Sequence, residues 1–238
     1  MTTISDHLQT VTRRLASACE HAGRPVDSVQ LLAVSKTQPA DAVRQAWAAG
    51  QRAFGENYVA EAEAKMATLA DLRDSLDWHL IGPLQANKTR VVAEQFDWVH
   101  SVDRLRIALR LSEQRPASLA PLQVCLQVNI SGEDSKSGVS PADLPALAEA
   151  VAALPRLKLR GLMVIPAPAD DLAGQRAPLG ATRLLFDELN ARGLSLDTLS
   201  MGMSADLEAA VLEGSTLVRI GTAIFGSRHT RAEAAPVG

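Results

Sequence analysis

Aromatic residues make up only 3% of the 238 residues, so the chain offers few stacking platforms for single-stranded nucleic acid. Cysteine is nearly absent. Cys19 and Cys125 lie far apart and in no metal-ligand spacing. That pattern argues against a disulfide framework or a zinc centre, and for a reducing, cytoplasmic setting. Charge of one sign is also lacking: 24 basic against 27 acidic residues leave a net charge of −3. Duplex nucleic acid and anionic membranes are therefore poor partners. No apolar run approaches the ~20 residues that span a bilayer. The N-terminus has no continuous apolar stretch either. Ile4, Leu8, Val11, Leu15 and Ala18 instead recur at helical spacing, and Gly23 and Pro25 supply the stop.

Beyond that helix, short apolar runs alternate with helical patterns. The strand candidates are Gln30–Ser35, Arg52–Gly55, Asp77–Ile81, Phe96–Ser101, Gln123–Ile130, Lys158–Ile165, Leu199–Gly202 and Thr216–Ile220. Each is followed by a helical stretch, and parallel strands need such crossovers. Eight units of roughly 25–30 residues match a (β/α)8 barrel of the TIM type. An open doubly wound sheet is the alternative, but no GxGxxG follows the first strand. The expected organisation is one α/β barrel domain over 1–238, with an extra N-terminal helix (1–23) and a polar tail (227–238). Pro166–Gly180 reads as an irregular loop, either a variable surface loop or a mobile lid.

In such a barrel, chemistry sits where strands end. Lys36 follows the first strand. At an apolar mouth its amine would lose its proton easily and attack an aldehyde, although a lysine there can also simply reach solvent. Gly202, Met203 and Ser204 follow strand seven, and Gly221 and Thr222 follow strand eight. These small, donor-rich loops suit a phosphate, and a side chain added at Gly221 is expected to block its approach. Ser204 can also serve as the N-cap of a helix over Ala205–Leu212. Arg219 alternates with Val218 and Ile220; facing inward it needs a partner, facing outward it makes a surface salt bridge. His79 reads as a packed barrel histidine, and Lys88 and Lys136 as solvated. A Schiff-base lysine, a phosphate cradle and an inward arginine together describe a site for pyridoxal 5′-phosphate.

Seven ordered segments also carry a resemblance: AVSKTQP (33–39), FGENY (54–58), WHLIGPLQANK (78–88), QVNISGEDSKSG (127–138), RGLMVIP (160–166), LSMGMSADLEAAV (199–211) and GSTLVRIGTAIFG (214–226). They resemble the pyridoxal phosphate homeostasis protein family, whose barrel is similar to the N-terminal domain of alanine racemase. The resemblance implies a covalent aldimine on Lys36 and places Asn57 beside the cofactor. It implies that Met203, Ser204, Gly221 and Thr222 surround the phosphate, and that Arg219 faces the ring nitrogen. Gln38 departs from the lysine that members often carry there, which bears on secondary cofactor contacts rather than on the main site.

The expected function is a non-catalytic carrier that buffers the cofactor in the cytosol, works as a monomer, and hands cofactor to apo-enzymes transiently. The alternative is an amino-acid racemase, and a weaker third is a cofactor-free Schiff-base aldolase. An arginine at the ring nitrogen leaves that nitrogen unprotonated and weakens the electron sink, but alanine racemases tolerate this, so Arg219 alone does not decide. A racemase also needs a second base on the opposite face. No further domain is expected after strand eight to supply it, and Tyr58 is the sole tyrosine.

Overall fold

The computed structural model describes residues 3–133 and 137–226. Lys136 and the 227–238 tail lie outside the described residues. The first element, α1 (Ile4–His21), starts with a capping box in which Thr3 and Asp6 satisfy each other's backbone amides. Its buried stripe of Leu8, Val11, Leu15, Ala18 and Cys19 is the amphipathic face expected from the spacing.

Eight parallel strands then close in strict chain order. They are β1 (Gln30–Val34), β2 (Ala53–Glu56), β3 (Asp77–Leu80), β4 (Trp98–Val102), β5 (Leu122–Gln127), β6 (Leu157–Met163), β7 (Thr198–Ser200) and β8 (Leu217–Ile220). The crossovers are α2 (Ala40–Ala48), α3 (Val59–Thr68), α4 (Thr89–Gln95), α5 (Leu105–Gln114), α6 (Leu144–Ala152), α7 (Leu172–Ala191) and α8 (Leu207–Leu212), and α9 (Thr222–Phe225) follows β8. Among the described residues, no helix is long and apolar enough to cross a membrane, and no group of side chains could hold a metal.

Strand alternation sorts side chains into two layers. Phe54, Trp78, Val99 and Val124 join the helices in the main core. Leu32, Ala53 and Leu217 form a separate small cluster with Ile81, inside the barrel. The seam of the barrel is the pairing of β1 with β8, in register from Gln30 with Leu217 to Ala33 with Ile220. It brings the loop after the first strand beside the loop after the last.

The structure corrects the Pro166–Gly180 loop. Only 166–171 is irregular, because α7 begins at Leu172 and runs through Pro178. The Asp171 carboxylate caps it by accepting the Gly174 amide. A proline inside a helix removes one hydrogen bond and costs about 3 kcal/mol. Burial of Leu179, Thr182, Phe186 and Leu189 on the barrel offsets that cost. The segment therefore forms a packed helix with a short lead-in, which leaves little chain for a lid. The helix after β7 also differs from expectation. It starts at Leu207 with Asp206 at its N-cap, so Ser204 lies in the preceding turn and caps nothing.

Candidate active site at the barrel mouth

The predicted residues converge on the strand ends around the seam. Lys36 is half-buried, two residues past β1. Gly221 lies across the seam, where a Cβ would sit 3.1 Å from the Val34 carbonyl oxygen. An added side chain at Gly221 would thus press on β1 as well. Thr222 opens α9, where the Ile224 amide already donates to the Gly221 carbonyl at 2.9 Å and the Thr222 and Ala223 amides precede the first such bond. On the other side of β8, Gly202 has φ +100°, and a Cβ there would meet that of Ala210 at 2.5 Å. This close left-handed turn leads into Met203 and Ser204. The Met203 amide donates to Asp206 Oδ1 at 2.6 Å, so it is already occupied within the turn.

The N-terminal helix holds both of these loops. Arg14 donates from Nη1 to the Ser204 carbonyl at 2.9 Å while forking onto the Glu208 carboxylate at 2.7 Å. His7 Nδ1 donates to the Ile224 carbonyl of α9 at 3.0 Å. Sequence reading took α1 only as an amphipathic helix packing on a domain, because both contacts reach residues about two hundred positions away.

Arg219 points into the barrel and is 5% exposed. Its guanidinium donates to the Ser200 carbonyl and hydroxyl at 2.6 and 2.8 Å, and to the Val164 carbonyl at 2.8 Å. The inward option is the one realised, with neutral oxygens as partners; among the described residues it makes no ion pair with a carboxylate. Burial pulls it down to about 10, which leaves it cationic at neutral pH.

A polar chain runs on from Ser200. His100 Nδ1 lies 2.8 Å from the Ser200 hydroxyl, and His100 Nε2 lies 2.9 Å from His79 Nδ1. β4 and β7 are not neighbours, so this chain crosses the barrel interior. Burial holds His79 down at about 3 and His100 well below its ordinary value, so both imidazoles are neutral. Both contacts run in the same sense, either from the Ser200 hydroxyl through His100 to His79 or from His79 through His100 to Ser200, and in each case His79 Nε2 is a buried atom without a partner. His79 is thus a packed histidine as expected, but also the end of a network. The sequence reading passed over His100 and Ser200. The available signal was two histidines at interior positions of adjacent strands.

One strand further round the mouth, Asn57 follows β2, which pairs with β1. Its Oδ1 is buried and without a hydrogen-bond partner, and it borders a cavity of about 240 Å³ shared with Ile81, Gln127 and Ile165. Gly82 backs this position: a Cβ there would lie 2.2 Å from the Asn57 carbonyl oxygen. Beneath Lys36 lies a second network that sequence reading missed. Lys65 of α3 donates to Glu56 at 2.7 Å, to Glu61 at 2.6 Å and to the Ser35 carbonyl at 2.6 Å. In the sequence, Glu61 and Lys65 look like an ordinary surface pair at helical spacing. The telling sign was that Lys65 falls on the face bearing Ala62 and Met66.

The donor set fits a phosphorylated pyridine aldehyde: an amine at a strand end, a cationic donor fixed at the barrel centre, small loops at the adjacent strand ends, and an unpartnered buried amide oxygen. Comparison with known proteins points the same way. The alanine racemase N-terminal domain family matches residues 7–229. The pyridoxal phosphate homeostasis protein of Pseudomonas aeruginosa is 62% identical over 234 residues, covering 98% of this chain and 100% of the relative. That of Escherichia coli K12 is 53% identical, over 96% and 98%. PipY of Synechococcus elongatus, solved without and with PLP, superposes with TM-scores of 0.84 and 0.82 at 44% and 43% identity, covering 94% of this chain and 100% of PipY. Alanine racemase of Corynebacterium glutamicum shares the fold at TM-score 0.66 and 19% identity, with 63% of its chain covered. With identity and coverage of this order, the chain belongs to the pyridoxal phosphate homeostasis protein family, on the alanine racemase N-terminal domain fold.

Proposed function

We propose that the protein binds pyridoxal 5′-phosphate covalently through Lys36 and serves cofactor homeostasis without turnover of its own. The observation that carries this reading is the placement of Arg219, a buried cation aimed into the barrel, on the strand that pairs with the one leading to Lys36. Support also comes from the names of relatives at 53% and 62% identity and from the PLP-bound form of PipY.

When bound, the cofactor supplies an aldehyde for exchange between amines and a ring able to take up carbanion density. In this reading Lys36 holds the aldehyde carbon. Ser204, Gly221 and Thr222 surround the phosphate with hydroxyls and amides, and Met203 packs beside it. Asn57 offers its unpartnered oxygen, and Arg219 donates to the ring nitrogen. Held by Ser200 and Val164, Arg219 keeps its own protons and leaves the nitrogen unprotonated. That arrangement weakens the electron sink on which racemisation or decarboxylation depends. The sole tyrosine, Tyr58, is 59% exposed, so solvent rather than a closed pocket surrounds the one phenol that could act as a base. The reading further takes 1–238 as one domain acting as a cytoplasmic monomer, with apo-enzymes as transient recipients of the cofactor.

The test follows α-proton exchange of common L-amino acids in deuterated water with the cofactor-loaded protein. Exchange no faster than that of free cofactor is expected. Rates of order 1 s⁻¹, in the usual enzymatic range, overturn the non-catalytic reading.

The hold of α1 on the Ser204 turn gives a second test. Arg14→Ala removes one charge-assisted hydrogen bond to that turn. The Arg14–Glu208 pair is itself substantially exposed, so its loss alone matters little. Affinity for pyridoxal 5′-phosphate is expected to fall roughly fivefold, a change of about 1 kcal/mol. Affinity for pyridoxal, which has no phosphate, should stay level. An equal fall for both ligands in equilibrium titrations contradicts the assignment of this loop to the phosphate.

A further inference from the structure

Thr37, the residue after Lys36, has φ +64°. For a β-branched side chain this left-handed conformation is an outlier, disfavoured about tenfold or more. It occupies the third position of a turn closed by the Gln38 amide donating to the Ser35 carbonyl at 3.1 Å. Turns with positive φ at that position ordinarily take glycine. Here the conformation is held from α3. The Thr37 amide donates to Glu61 Oε1 at 2.5 Å. The same oxygen accepts from Lys65 Nζ, which is 5% exposed and also donates to the Ser35 carbonyl. The Ser35 hydroxyl in turn donates to Glu56 Oε1 at 2.6 Å, a third acceptor of Lys65. The backbone on both sides of Lys36 is thereby tied to one buried ammonium.

We propose that Glu61 and Lys65 are positioning residues that keep this turn in its left-handed form and so present the Lys36 amine to the barrel mouth. The inference rests on the reading of Lys36 as the attachment point. An ordinary helix-stabilising pair on α3 would have no reason to engage the Thr37 amide. Without the clamp, the turn relaxes and only a fraction of molecules keeps the amine in place. Apparent affinity for an aldehyde falls by that fraction.

The probe is pyridoxal, which reports on Lys36 without the phosphate loops. The amine nitrogen adds to the aldehyde carbon, the oxygen leaves as water, and borohydride then reduces the C=N bond for peptide mapping. Glu61→Ala is expected to weaken adduct formation at Lys36 about tenfold, and Glu61→Gln, which keeps an acceptor oxygen, less than about threefold. Thr37→Gly removes the conformational penalty. In that background Glu61→Ala should cost less than about threefold. In the protein without any aldehyde, Glu61→Ala should speed exchange of the Thr37 amide by about tenfold or more. Thermal unfolding monitors integrity. Glu61→Ser, too short to reach Thr37, serves as the second variant with the same expected losses. Wild-type affinity and wild-type Thr37 exchange in either variant overturn the proposal, as does an equal loss in the Thr37→Gly background. If the unmodified protein forms no adduct at Lys36, the attachment reading itself falls.

Discussion

Replacing Lys36 by alanine is expected to abolish the aldimine absorbance of the cofactor-loaded protein and to leave no borohydride-reducible protein adduct. Affinity for pyridoxal 5′-phosphate should fall about a hundredfold or more, roughly 3 kcal/mol, as the covalent link is lost. Folding should survive. Lys36 sits in a turn beyond β1, half-buried and outside the core, so its removal should cost less than about 1 kcal/mol. Residual weak binding through the phosphate loops and Arg219 is expected and is separable, because it cannot be trapped by reduction. A variant that still yields a reduced adduct, mapped to another lysine, would falsify the assignment of Lys36.

The largest effect on stability is expected from Lys65→Met. Both the Lys65 and Glu56 side chains are almost wholly inaccessible. Deleting the cation leaves Glu56 buried beside Ser35 with one oxygen already unpartnered. Breaking a buried pair in this way costs about 3–5 kcal/mol. The loss should depend on pH. Burial pushes the Glu56 carboxyl above its ordinary value, and Lys65 is the main influence pulling it back. A carboxyl raised in the folded state contributes stability below its unfolded pKa and loses it as pH rises through the folded value. Without Lys65 the folded value climbs further, so the variant folds with Glu56 protonated and is penalised as pH increases. Urea unfolding of parent and variant at pH 5 and pH 8 should show the larger deficit at pH 8. A deficit of equal size at both values would locate the effect in lost packing rather than in Glu56.

The barrel and the placing of Lys36, Ser204 and Thr222 at its strand ends were legible in the sequence because each rests on local chemistry. Short apolar runs ended by Lys36, Ser204 or Thr222 are visible within a few residues, and eight such units leave little choice of architecture. Misreadings arose where distant packing overrides local preference. Gly174, Pro178 and Gly180 look like a broken loop, yet burial of Leu179 and Phe186 carries α7 through them. Ser204 has the chemistry of an N-cap, but Asp206 turns back onto Met203 and moves the helix start. The supporting networks were not legible at all. The path from Arg219 through Ser200 to His100 and His79 joins four strands. No spacing in one dimension announces which interior polar residues will meet across a closed barrel.

The seam between β1 and β8 sets a schedule for the life of the molecule. Lys36 and Arg219 are 183 residues apart (219 − 36). A ribosome takes roughly 10–40 s to cover that distance. Throughout this interval the nascent chain displays its amine with no cradle opposite, since the strand that carries Arg219 is the last to be made. With Lys36 as the proposed attachment point, capture of an aldehyde in the mouth would become possible only once the cylinder has closed. Occupancy then reports completed folding. A ligand gripped by residues of the first and last strands also works as a clasp across the join. Ring opening at this join has to release the ligand first, so a loaded molecule should resist proteolysis longer than an empty one, in proportion to the occupancy of that clasp.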